Sequence, residues 1–405
     1  MSSSSTAFAV LAHHDFRNFL IARFFTTFTM MMMSVAVGWQ VYDLTHSAFA
    51  LGIVGLAQFL PAFLLTLPGG LAADRFERRR VILFGVSMEF LVAAAMLAIT
   101  LSANPKVWMI FAVLTLVGTG RAFLAPASQS FLPLLVPQED FVRAVAWNSS
   151  VFQGATIAGP AVGGLLYALG PIYVYGCAAA CLLIASVMIA GLKVSTKARV
   201  KTSTRISDLF TGMKYVFSRQ AILGAVSLDL FAVLFGGATA LLPIYARDIL
   251  HTGTWGLGLL RSAPAVGAAT VALVLAHHPI KEKAGTKLFT CVALFGLCTV
   301  IFGLSRSFFL SLGVLVILGA ADMFSVVIRQ TLVQIATPDE MRGRVSAVNM
   351  LFIGASNELG EFESGVTAAW FGTVPSVVIG GLGTLAVVAI WAWRFPVLRK
   401  MDRLN

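Results

Sequence analysis

The sequence predicts an all-α membrane protein in which twelve transmembrane helices form two pseudo-symmetric six-helix bundles. Three observations lead there: an oily composition, apolar runs regularly punctuated by charge, glycine and proline, and an internal repeat. Of 405 residues, 58% are hydrophobic and only 12% charged, where soluble domains carry about 25% charged residues. A chain in lipid must satisfy its backbone internally, and the runs lack the alternation of a barrel, so each span is a helix of about 20 residues.

In chain order the candidate spans are 18–42, 48–72, 80–102, 107–134, 141–169, 172–192, 220–246, 255–276, 287–304, 308–335, 342–371 and 374–394. An even number puts both ends on one side. Of the 29 Lys and Arg, 22 fall in the N-terminus, the C-terminus and every second loop, whereas the other loops hold only Lys106, Arg247 and Arg306. The positive-inside rule then makes both termini cytoplasmic. The net charge of +11 is topogenic on this reading; no hydrophilic stretch is long enough for a nucleic-acid module, and no nucleic-acid partner is expected. Cys177, Cys181, Cys291 and Cys298 sit in apolar runs without metal-site spacing and read as packing residues. MSSSSTAF at the start is short and polar, and no cleavable signal is evident.

The longest hydrophilic stretch, 193–219, separates residues 1–192 from 220–405, and its part from Ile206 to Phe217 has the spacing of a basic amphipathic helix for the anionic inner leaflet. The two halves are related. VPQEDFVRAVAWN at 136–148 aligns with TPDEMRGRVSAVN at 337–349 at an offset of 201, which also matches Phe123 with Phe324, Gln129 with Gln330, Gly159 with Gly360 and Gly164 with Gly365. Two parallel six-helix repeats suit bodies that rock about a midplane site; nothing resembles a channel filter.

The stretch GGLAADRFERRRVIL at 69–83 resembles the signature loop of the major facilitator superfamily, carried here by Gly70, Asp74, Arg75, Arg78, Arg79 and Arg80, with Glu77 where that pattern has glycine. The resemblance implies a conformational gate. Gly70 is expected to permit close helix contact, Asp74 to meet a helix N-terminus, and Arg75 and Arg79 to pair with carboxylates across the seam between halves. GATIAGPAVGG at 154–164 is similar to the GPxxGG element of proton-exchanging exporters in that superfamily. Gly159, Pro160, Gly163 and Gly164 would give a tight, bendable packing surface. The whole chain looks most like the bacterial branch that contains enterobactin-type siderophore exporters and some drug exporters.

The eleventh span carries SNELGEFESG at 356–365, where the fifth span has its glycine-proline surface. A charge at the bilayer centre costs about 2.5–3.5 kcal/mol on insertion scales, so such acids mark function by default. Glu358 and Glu361 share a helix face, and Glu363 points elsewhere. Two carboxylates in low dielectric do not both ionise readily, so one of them is expected to load and release protons. Arg121 and Asp322 correspond at the offset of 201 and are candidates for a cross-cavity ion pair. Arg329, two turns from Asp322, is placed to meet an anionic substrate or headgroup; Asp229 is a further pathway residue, Glu89 reads as structural, and Arg23 as snorkelling to the interface. Asn349 and Asn357 are candidates to hydrogen-bond substrate. The MMMM run at 30–33 reads as core or lipid face.

These features predict a secondary transporter, a proton-coupled exporter of an amphipathic small molecule in the bacterial inner membrane. It needs no cofactor or metal, touches membrane lipids, and is complete as a monomer. Alternatives are a lysophospholipid flippase or importer of the same fold, and a non-transporting sensor. No HExxH, GxSxG or P-loop motif supports an enzyme.

Overall fold

The computed structural model describes residues 9–194, 206–278, 280 and 282–402, side chains at 206–209, 339 and 340 apart. Residues 1–8 and 195–205, which hold the polar start and the Lys197–Arg205 part of the basic linker, lie outside the described residues. Every regular element described is helical. The long helices are α1 (His14–Thr45), α2 (Ala48–Arg75), α3 (Arg78–Leu101), α4 (Val107–Phe131), α5 (Phe141–Leu169) and α6 (Pro171–Ala190). After the amphipathic α7 (Ile206–Ser218) come α8 (Gln220–Phe235), α9 (Gly253–His277), α10 (Ala284–Leu304), α11 (Phe308–Ile335), α12 (Asp339–Phe371) and α13 (Thr373–Arg394).

Among the described residues eleven spans are long and apolar enough to cross a membrane. The exception is α12, the eleventh expected span, which at 33 residues is long enough but carries the glutamates and the basic RGR start. Length and place in the repeat, not apolarity, identify it as the twelfth member of the set.

The chain divides into two compact units, Met1–Leu44 with Leu60–Thr204, and Thr45–Phe59 with Arg205–Asn405. The start of α2 therefore groups with the second unit. There a Cβ on Gly52 would come 3.0 Å from the Phe362 carbonyl oxygen, and the Gly365 position meets the Gly52 backbone. Side chains larger than hydrogen would force these helices apart.

In the first unit α3 packs on α4 and α6. Gly85 and Gly120 bring α3 and α4 together: a Cβ on Gly120 would lie 3.2 Å from Met88 Cβ and 3.3 Å from the Gly85 carbonyl oxygen. Toward the other end a buried polar chain ties three helices, with Tyr175 Oη donating to Gln40 Oε1 at 2.6 Å and Gln40 Nε2 donating to Thr100 Oγ1 at 3.2 Å. Such a chain satisfies groups that hydrocarbon cannot. Met32 is fully buried and Met33 nearly so, which makes the second half of the methionine run core, while Met30 and Met31 are half-buried.

In the second unit Ala225, Leu228, Leu288, Val292, Ile328, Leu332 and Val387 form a core shared by α8, α10, α11 and α13. The seventh span is not one helix. It stops at Phe235, where Gly236 and Gly237 break the register, and continues through a 3-10 turn (Ala238–Leu241) and a π-helical turn (Tyr245–Ile249). Gly237 is seated where a Cβ would be 2.6 Å from the Gly360 carbonyl carbon and 2.9 Å from Ser364 Oγ on α12. Interruptions of this kind mark hinges and binding regions in membrane helices.

Candidate functional site

Three of the expected pathway residues come together in the second unit. Asp229 on α8 and Arg329 on α11 form an ion pair whose side chains are 12% and 9% exposed. Asp322, seven residues before Arg329, lies about 10 Å away along the same helix at 1.5 Å per residue. Asp229 and Asp322 line one narrow cleft with Cys291, Phe295 and Ser325. Its volume is only about 10 Å³, room for roughly one water and far too little for an organic cargo. Asp322 has no ion-pair partner among the described residues. A carboxylate facing such a cleft beside a buried ion pair can exchange a proton with little motion of its surroundings. Arg329 was expected to greet substrate or headgroups; its guanidinium is committed to Asp229.

Arg121 belongs to a different cluster. Glu89 on α3 is buried, and the cations that act on it are Arg121 of α4 first and Arg23 of α1 second. Glu89 Oε2 and Arg23 Nε are buried without a hydrogen-bond partner. The Arg23 guanidinium lies 5.5 Å from the centroid of the Phe152 ring of α5, a cation–π distance. Arg23 thus faces the charges of its own unit instead of snorkelling away. Glu89, Arg121 and Arg23 each stand out in the sequence as charges within apolar spans, but no pattern there pairs them.

The eleventh-span acids do not line that cleft. Glu361 lies against the start of α2, its Cβ 3.0 Å and its Oε2 3.2 Å from where a Cβ on Gly55 would stand. Glu358, Glu361 and Glu363 are all half-buried. Asn349 is half-buried and Asn357 exposed.

The loop signature is arranged within the first unit. Arg79 Nη1 donates to the Leu192 carbonyl just beyond α6, and Arg80 pairs with Glu77 at 2.9 Å. Asp15 closes the same corner, accepting from the backbone N–H of Lys193 and of Val194 (2.9 Å). Gly70 corrects its expectation: a Cβ there would meet nothing within 4 Å, whereas its neighbour Gly69 packs directly on the Ala122 backbone of α4. Asp74 and the exposed Arg75 lie in the last turn of α2. Glu77 adopts φ −59°, ψ 116°, so the turn needs no glycine there.

The GPxxGG element is tightly packed. A Cβ on Gly159 would stand 2.7 Å from both Met31 Cβ and the Phe28 carbonyl oxygen, and one on Gly163 2.7 Å from the Met32 carbonyl oxygen. Gly159, Pro160, Gly163 and Gly164 are all buried, and α5 runs unbroken through Pro160.

Twelve long helices in two units, with ionisable groups held at membrane depth, define a secondary transporter of the major facilitator fold. The chain belongs to the transmembrane secretion effector family of that superfamily, whose sequence pattern matches residues 5–405. It is 25% identical over 380 residues to an enterobactin exporter, EntS, of Citrobacter koseri, covering 93% of this chain and 90% of that protein. The EntS protein of Escherichia coli O1:K1 is 24% identical over the same spans. Among solved structures, a POT family transporter in complex with 5-aminolevulinic acid has a TM-score of 0.74 at 12% identity, covering 95% of this chain and 96% of that one. A D-xylose-proton symporter has a TM-score of 0.70 at 16% identity, covering 96% and 97%. The likeness to these structures is one of fold. The chain is a multi-pass membrane transporter and not an enzyme.

Proposed function

We propose that this transporter is a proton-driven exporter of an amphipathic organic molecule, a siderophore or a drug, working by alternating access as a monomer in the bacterial inner membrane with both termini cytoplasmic. The observation that carries the reading is Asp322, set without an ionic partner among the described residues in a water-sized cleft that it shares with Asp229 of the Asp229–Arg329 pair. Proton occupancy of Asp322 changes the net charge beside Arg329 and so biases whether the ion pair stays closed. The exporter names of the EntS relatives support the direction of transport. Glu358 and Glu361 form a second acidic station, Arg121, Asn349 and Asn357 contribute polar groups to the pathway, and the loop of Gly70, Asp74, Arg75 and Arg79 with the Gly159–Gly164 surface acts as the conformational gate.

Proteoliposomes with an imposed pH gradient test this, using a catecholate siderophore and an amphipathic dye as probes. Asp322→Asn is expected to abolish gradient-driven movement of whichever probe is carried while leaving a folded, monodisperse protein. Glu358→Gln and Glu361→Gln are expected to weaken it. Full coupling in Asp322→Asn would remove that residue from the mechanism, and movement indifferent to the pH gradient would remove protons from it.

A further inference from the structure

Among its described side chains the amphipathic helix α7 buries one face in its own unit and leaves an aromatic-basic face exposed. Val216 is buried in a cluster with Ile222, Val226, Val333, Val345 and Val348, and Gly212 packs on the Arg344 backbone of α12. The other face carries Phe210, Lys214 and Phe217, spaced i, i+4, i+7, with the two rings 62% and 58% exposed. Aromatics flanking a lysine on a helix beside membrane spans belong at the headgroup level. Trp393, at the end of α13, is likewise 79% exposed, as interfacial aromatics are.

At the C-terminal end of this helix lies an open groove of about 730 Å³, within the size range of small-molecule sites. Arg219 enters it from the α7–α8 junction and Arg342 from the start of α12. Both side chains are exposed, and the Arg219 guanidinium stands 5.5 Å from the Tyr215 ring centroid. Tyr215 is itself pinned, its hydroxyl donating to the Ala336 carbonyl at 3.0 Å. Ile335 and Val397, 55% and 53% exposed, form an apolar rim. Two guanidiniums over an oily rim, at headgroup depth, match a phosphodiester joined to acyl chains.

We propose that this groove binds the headgroup of an anionic phospholipid, its phosphate held by Arg219 and Arg342 and its chains lying along Ile335 and Val397. Guanidinium forks suit phosphate oxygens, and each basic residue at an anionic membrane surface contributes on the order of 1 kcal/mol. The inference is independent of the proton-coupled reading above, since lipid retention is measured without transport.

The test is native mass spectrometry of the full chain equilibrated with phosphatidylglycerol and phosphatidylcholine. The wild type is expected to retain phosphatidylglycerol about tenfold better, and Arg219→Gln/Arg342→Gln to lose that preference. Arg306→Gln, in the loop between α10 and α11, should leave it unchanged. Should the double variant fail to fold, Val397→Glu, on the exposed rim, is expected to reduce the preference by charge repulsion. A preference kept in the double variant, or kept in Val397→Glu where that stands in for it, overturns the proposal, as does equal loss in Arg306→Gln. Displacement of the lipid by millimolar inorganic phosphate alone would make this a free-phosphate site and equally overturn it.

Discussion

Helices α5 and α12 occupy equivalent places in the two repeats and share a glycine at the central contact, Gly159 and Gly360. Gly159 and Gly163 seat α5 on Phe28–Met32 of α1; 201 residues later, Gly360 seats α12 on the Val233 and Leu234 backbone of α8. Their chemistry is opposite. Where α12 has Glu358, Glu361 and Glu363, α5 has Ile157, Pro160 and Val162. The buried charges diverge likewise: Arg121 acts on Glu89 in one unit, while its counterpart Asp322 stands beside an Asp229–Arg329 pair in the other. Close backbone approach depends on the absence of a side chain, so Gly159 and Gly164 persist as Gly360 and Gly365, whereas Gly163 gives way to Ser364, which faces Gly237 of the broken seventh span. Ionisable groups need only a local partner, and the two halves have found different ones.

The comparison breaks most visibly at the ion pair, because the first unit has nothing corresponding to it: Phe28 and Ser128 stand at the positions equivalent to Asp229 and Arg329. Arg329→Met should destabilise the protein by about 3–5 kcal/mol, the cost of leaving a buried partner charge uncompensated. Adding Asp229→Asn should recover much of that loss, measured by thermal unfolding in detergent. A double variant no more stable than the single would show that Arg329 acts through packing alone. Glu89→Gln is the matching experiment in the first unit, with an expected loss of about 1–3 kcal/mol from removing the buried charge that faces Arg121 and Arg23.

The shared packing is tested next. Gly159→Ala and Gly360→Ala each place a methyl against backbone that cannot swing away, and overpacking of this kind costs about 1–3 kcal/mol. Gly159 should be the more sensitive, since its nearest contacts are 2.7 Å against 2.9 Å for Gly360. If only one of the two substitutions lowered the melting temperature, the equivalence of α5 and α12 would be superficial.

The same contrast explains what the sequence could reveal. The spans, the halves and the repeat are written in composition and periodicity, which the bilayer enforces at every position. Even α12 was legible, because its repeat alignment outweighed its charges. The pairing of Asp229 with Arg329 was not, since it joins helices 100 residues apart and no local pattern encodes which acid a buried arginine meets. Asp229, Asp322 and Arg329 were each singled out as intramembrane charges, and only the fold assembled them. The break in the seventh span was signalled by the Gly236–Gly237 doublet yet hidden by the continuous hydrophobicity around it. The cluster of Arg23, Glu89 and Arg121 was lost for the reason the ion pair was, with the added obstacle that α3 offers one acid and no motif.

The smallest expected effects fall on the last turns of α2 and separate packing from gating. Gly69 packs on Ala122 and Gly70 faces open space, although the motif points to Gly70. Gly69→Ala should destabilise by about 1–3 kcal/mol. Gly70→Ala, inside a helix with no neighbour to meet, should be neutral or stabilise by up to about 0.5–1 kcal/mol through helix propensity. A gate glycine would behave differently: Gly70→Ala would then leave the melting temperature alone and slow transport, because its contacts form in another conformation of the cycle. Unchanged melting together with unchanged transport would take Gly70 out of the gate and leave Gly69, with Arg79 on the Leu192 carbonyl, as the structural content of the signature.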